Sequence, residues 1–95
     1  MLFTDIEGST GLVDRYADVY PLMLSRHHEL LRNAIESHGG EEVGVAGDSI
    51  FALFPGADLG VRAAIDAQIA ISKEKWAKGC EPKVRMGLHA GTVQR

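Results

Sequence analysis

The chain has a single cysteine, Cys80, among 95 residues. An internal disulfide is thereby excluded, and nothing asks for an oxidising compartment. No apolar stretch approaches the roughly 20 residues of a membrane-spanning helix. The N-terminus lacks the charged-then-apolar pattern of a secretory signal. A cytoplasmic protein, or a cytoplasmic domain of a larger one, is the expectation. Positive charge is not concentrated either. Ten Lys and Arg are scattered along a chain of net charge −3, which argues against a nucleic-acid footprint. Repeats, low-complexity tracts and linkers are missing, so residues 1–95 read as a single domain. The length permits only a modest core, and an apolar share of 45% with 24% charged residues is ordinary for a globular chain.

What is there centres on the first ten residues, Met1-Leu-Phe-Thr-Asp-Ile-Glu-Gly-Ser-Thr10. Leu2 to Ile6 read as a short strand with Asp5 near its end. Gly8 permits a sharp turn, and Ser9 or Thr10 can cap the helix that follows. A strand-end carboxylate, a glycine turn and a helix N-terminus can hold a cation and phosphate oxygens together. Equally, Asp5 could simply end a strand and Thr10 simply cap a helix.

Gly11 to Tyr20 is expected to form two or three helical turns. Pro21 suits the first turn of a fresh helix. From there Met23, Leu24, His27, Leu30, Leu31, Ala34, Ile35 and His38 recur at three- and four-residue steps. Gly39-Gly40 ends that helix. Glu41 to Ala46 can form a strand weakened by Gly44, and Gly47-Asp48-Ser49 is turn chemistry. Ile50 to Phe54 is an apolar run stopped by Pro55-Gly56. Apolar at every position, it should be a central strand covered on both faces. Ala57 to about Trp76 is a second long helix, with Val61, Ala64, Ile65, Ile69 and Trp76 on one stripe. Ala77 to Pro82 is a loop. Lys83 to His89 alternates, with Val84, Met86 and Leu88 on one side and Lys83, Arg85 and His89 on the other.

The order strand–helix–strand–strand–helix–strand is the α+β, ferredoxin-like βαββαβ pattern, an antiparallel sheet with both helices on one face. Its usual spatial strand order is 4-1-3-2. That order makes Asp5, at the end of the first strand, a neighbour of Asp48 in the hairpin turn. It also starts the fourth strand, with Arg85, beside them. Two carboxylates side by side repel unless a cation or proton sits between them, and a divalent pair would suit phosphoryl chemistry. The plainer alternative is two turn aspartates, each capping backbone amides.

Phe3-Thr-Asp-Ile-Glu-Gly-Ser-Thr10, His38-Gly-Gly40, Gly47-Asp48 and Arg85-Met-Gly-Leu-His-Ala-Gly91 together resemble the class III adenylyl/guanylyl cyclase catalytic domain, most nearly in its bacterial branch. The resemblance implies that Asp5 and Asp48 bind two Mg²⁺ or Mn²⁺ ions per site, the carbonyl of Ile6 adding a ligand. It implies that Glu7, Gly8, Ser9, Thr10 and Arg85 hold the β- and γ-phosphates. Members convert ATP or GTP to the 3′,5′-cyclic monophosphate and pyrophosphate. They act as head-to-tail dimers whose sites draw on both chains, so a homodimer or a complementary cyclase half is the implied partner.

Some features depart from that pattern. The family's purine-selecting lysine falls at the position of Gly44, where no side chain exists to select a base. Ser49 replaces a common glycine. The second base-selecting residue and the transition-state asparagine and arginine lie further on than Arg95. A truncated cyclase homology domain is therefore expected, with a complete metal-and-phosphate half and little or no cyclic nucleotide made alone. The alternative is a non-catalytic module of a signalling protein that binds metal and nucleotide, or only dimerises. His27 and His28, being adjacent, cannot chelate as an i, i+4 pair would and read as packed or solvated. His38 closes its helix near the C-terminal dipole, and His89 has no assignable role. Cys80 reads as inert. Trp76, Phe51 and Phe54 are core candidates.

Overall fold

The computed structural model describes residues 1–8, 19–76 and 82–89. The expected turns from Gly11 onward, Ser9 and Thr10, the loop around Cys80 and the end of the fourth block at Gly91 lie outside the described residues. Strands β1 (Leu2–Ile6), β2 (Glu41–Ala46), β3 (Ser49–Leu53) and β4 (Val84–Leu88) form one sheet in the order β2-β3-β1-β4. All three pairings are antiparallel. Helices α1 (Tyr20–Ser37) and α2 (Ala57–Lys73) complete the α+β, ferredoxin-like pattern that the order of elements predicts.

Helix α1 starts with Pro21 in its first turn, where a missing N–H costs nothing. Met23, His27, Leu31, Ala34 and Ile35 form its buried face, a helical stripe pressed on the sheet. It ends in a Schellman arrangement: Gly39 N–H donates to the Glu36 carbonyl at 3.1 Å, and Gly40 N–H to the Ile35 carbonyl at 2.8 Å. His38 sits at the C-cap as expected. Its Nε2 also reaches Asp66 Oδ2 at 2.6 Å, which ties the end of α1 to α2.

The second helix corrects the sequence reading. Its buried residues are Gly60, Ala63, Ala67 and Ile71, whereas Val61, Ile65 and Ile69 are exposed. The reason is close approach. A Cβ placed on Gly60 would lie 3.2 Å from Leu88 Cδ2 and 3.5 Å from Phe54 Cδ2, so branched residues do not fit on that face. The helix also stops at Lys73, short of Trp76. Trp76 instead packs on the core from beyond the helix end, where its Nε1–H donates to the Ile71 carbonyl at 2.8 Å.

Leu2, Leu31, Ala34, Ile35, Ile50, Ala52, Ala67 and Ile71 form the main core, between sheet and helices. Burying a leucine or isoleucine of this kind contributes about 1.5–3 kcal/mol. Ile6 and Met23 form a smaller cluster. Strand β3 lies inside the sheet, but only Ile50 and Ala52 are buried; Ser49, Phe51 and Leu53 are intermediate. Coverage on both faces, expected from its all-apolar sequence, is thus not what the described residues show. Phe51 is not in the core. It lies on the face away from the helices, its ring centroid 5.1 Å from that of Phe3.

Candidate metal and phosphate site

The site is built where three strand ends meet. Asp5 alternates with the buried Thr4 and Ile6 and so projects from the face opposite the helices. Its register partner across the antiparallel pair is Arg85. The guanidinium bonds both carboxylate oxygens, Nε to Oδ1 at 2.8 Å and Nη2 to Oδ2 at 3.0 Å. Bidentate pairs of this kind fix orientation as well as charge. The bond to Asp5, its charge, and the nearby charges of Glu7 and Asp48 hold Arg85 still more firmly protonated. Asp5 is mostly covered while Arg85 is largely exposed.

Asp48 arrives from the β2–β3 turn. Ala46 pairs with Ser49, leaving Gly47 and Asp48 as a two-residue hairpin loop. Gly47 has φ +59°, and Asp48 is not in the positive-φ region. This is the φ pattern of a II′ turn, which suits the strand twist and wants glycine first. Asp48 Oδ2 accepts the backbone N–H of Ile6 at 2.8 Å. The turn aspartate is thereby fastened to the residue after Asp5, 42 positions away in sequence. On the other side of β1, Glu7 N–H donates to the Lys83 carbonyl at 2.7 Å. Gly8 follows with φ +68°, a left-handed turn that a side chain would strain.

Of the residues singled out from sequence, the structure brings Asp5, Ile6, Asp48 and Arg85 into one corner. Ile6 is held there by its amide, which serves Asp48. Glu7 and Gly8 follow directly and are exposed. Gly44 lies on β2 opposite Phe51, and a Cβ there would meet the Phe51 ring at an ordinary 3.7 Å. The chemistry of the donor set suits a hard divalent cation. Mg²⁺ usually takes one or two carboxylates and completes its octahedron with water and substrate phosphate. Among the described residues no group of three or more His, Cys, Asp or Glu is placed to hold a metal ion by itself. The Arg85 guanidinium already places positive charge on Asp5.

Sequence reading did not anticipate two features. One is that Arg85 engages Asp5 directly. Its signal was the register of β1 with β4, which no local pattern reveals. The other is the histidine pair of α1. His27 is fully buried, and its Nδ1 lies 3.2 Å from His28 Nδ1. His28 Nε2 lies 3.1 Å from the Gly47 carbonyl, in the hairpin turn. Burial, with the adjacent His28 as a lesser cause, pushes His27 down to about 4 despite the opposing charge of Asp48.

No protein-family model matches the chain. Curated relatives do. An adenylate cyclase of Podospora anserina is 28% identical over 110 aligned positions, spanning 96% of this chain and 5% of the relative. A receptor-type adenylate cyclase of Trypanosoma congolense is 33% identical over 76, spanning 80% of this chain and 10% of the relative. The chain thus corresponds to a small part of these proteins. Among solved structures, an adenylate cyclase of Trypanosoma brucei in its monomeric state superposes with a TM-score of 0.77 at 31% identity, over 79% of this chain and 32% of that one. Sequence similarity and fold agree, and the chain belongs to the class III adenylyl/guanylyl cyclase catalytic-domain family.

Proposed function

We propose that this chain supplies the metal-and-phosphate half of a nucleotide cyclase site, acting on ATP or GTP together with a second copy or a complementary cyclase half. The observation that carries the reading is the corner where Asp48 is fastened to the Ile6 amide and Asp5 is held by Arg85. Asp5, Asp48 and the Ile6 carbonyl would hold Mg²⁺ or Mn²⁺. Bound there, two such ions would acidify the ribose 3′-hydroxyl and screen the triphosphate. Arg85 leaves Asp5 as the site loads and turns to the β- and γ-phosphates, which the turn from Glu7 to Thr10 would also hold. The 3′-oxygen then attacks the α-phosphorus in line, its proton passes to solvent, and pyrophosphate departs.

Charge also develops at the α-phosphoryl group. Removing one preorganised donor for such charge typically costs roughly a hundred- to a thousandfold in rate. The family's Asn-x-x-x-Arg segment is not among the 95 residues, and Gly44 has no side chain to align the base. On this reading the 95-residue chain supplies metal and phosphate ligands but neither of these donors. The test is to incubate it with Mn²⁺ and ATP or GTP, first alone and then with a partner carrying the complementary half. Turnover only with the partner is expected; robust turnover alone would show the catalytic groups to be misplaced. The bare Gly44 position favours a second reading, a regulatory module that binds metal and nucleotide without chemistry. Nucleotide binding with no turnover under either condition would establish it.

A further inference from the structure

The central peptide of a two-residue hairpin loop can flip, and the flip exchanges a II′ turn for a I′ turn. In this chain that peptide joins Gly47 to Asp48, so its orientation sets the backbone φ of Asp48, the residue that carries the site carboxylate. With Asp48 outside the positive-φ region the turn is on the II′ side. A flip to I′ would force Asp48 to positive φ, which a non-glycine residue adopts at a cost. The Gly47 carbonyl belongs to this same peptide unit, and His28 Nε2 lies 3.1 Å from it.

We infer that His28, steadied by His27, is a positioning residue that locks the Gly47–Asp48 peptide and so aims Asp48 at the metal site. The proposal rests on the metal-and-phosphate reading above. Its geometry specifies the tautomers. A carbonyl only accepts, so His28 Nε2 carries a proton and donates it. Neutral His28 then has a bare Nδ1, which accepts from a protonated Nδ1 of His27 at 3.2 Å. That leaves His27 Nε2 as a bare acceptor, and this buried atom has no partner among the described residues. A leucine would fill the same space without an orphaned nitrogen. The imidazole, unlike a leucine, can orient His28. Asp48 is thereby gripped twice, at its carboxylate by the Ile6 amide and at its preceding carbonyl by His28.

The test compares the purified chain with His28→Ala and His28→Gln, since Gln keeps an N–H donor at similar reach. His28 is only partly buried, so the alanine variant leaves the core intact, which thermal unfolding checks. Titration with Mn²⁺, read by the paramagnetic signal of the free ion, should show about three- to tenfold weaker binding in His28→Ala, the size of one hydrogen bond. His28→Gln should recover most of the loss. In an Asp48→Asn background His28→Ala should add nothing, whereas in an Asp5→Asn background its full factor should persist. The Asp48 amide–Hα coupling constant should shift toward positive φ in the alanine variant alone. Unchanged Mn²⁺ affinity and coupling in His28→Ala, with Asp48→Asn still weakening the metal, would overturn the positioning role and leave the metal reading standing. A wild-type chain that bound no Mn²⁺ would overturn both the metal reading and the purpose given to His28, the coupling constant then reporting only the peptide lock.

Discussion

Arg85 holds Asp5 through two nitrogens, so any cation that takes Asp5 must displace a guanidinium. The two halves of the proposed site therefore oppose each other until phosphate arrives to receive the arginine. Arg85→Ala should bind Mn²⁺ alone severalfold more tightly and Mn²⁺–ATP severalfold more weakly. Free-ion titration and nucleotide calorimetry give the two signs separately; a fall in both would show that Arg85 does not compete for Asp5. His27 carries a second prediction at this scale. Its folded pKa, about 4, lies below the ordinary 6.5, so the unfolded chain binds more protons between those values. Stability is then full above about pH 6.5 and is lost as pH falls toward 4. The groups that face it are His28, which reinforces the effect, and Asp48, which opposes it. Urea unfolding across that window should show the slope in wild type and a flatter one in His27→Gln. Equal slopes would remove His27 as its source.

At the scale of elements, two glycines near β2 make opposite predictions. A Cβ on Gly40 would fall 2.5 Å from Phe54 Cε1 and 2.7 Å from Ile35 Cγ2. Gly40→Ala should therefore destabilise by about 1–3 kcal/mol through overpacking. Gly44 has room and no positive φ, so Gly44→Ala should stabilise by about 0.4–1 kcal/mol by restricting the unfolded chain. Denaturant midpoints of the two variants check both signs. The same elements show what was legible beforehand. The α1 stripe could be read because its spacing and its Pro21 and Gly39-Gly40 boundaries are local. So could the strand order, once six elements had been placed. The inward face of α2 could not, because Gly60, Ala63 and Ala67 bury by allowing close approach, and hydrophobicity alone favours Val61, Ile65 and Ile69. Asp5 and Asp48 were findable through topology. The Arg85 and His28 contacts needed side-chain geometry across the sheet and from helix to turn.

For the whole molecule, the sheet has one face packed by both helices and one that no described helix covers. Phe3, Phe51 and Leu53 lie on the second face, half-buried, beside Asp5 and Arg85. Apolar surface next to a proposed active corner is suited to a second chain. Concentration-dependent dimers or larger species are expected by light scattering, and Phe51→Glu should shift them toward monomer. A wild-type monomer at every concentration would contradict that assembly. The activity of the whole molecule depends on whether the corner of Asp5 and Asp48 holds a divalent ion. Titrating the wild-type chain and Asp48→Asn with Mn²⁺ decides it most directly. Saturable binding in wild type that Asp48→Asn weakens at least tenfold is the predicted result. Equal binding by the two proteins, or none by wild type, would contradict it.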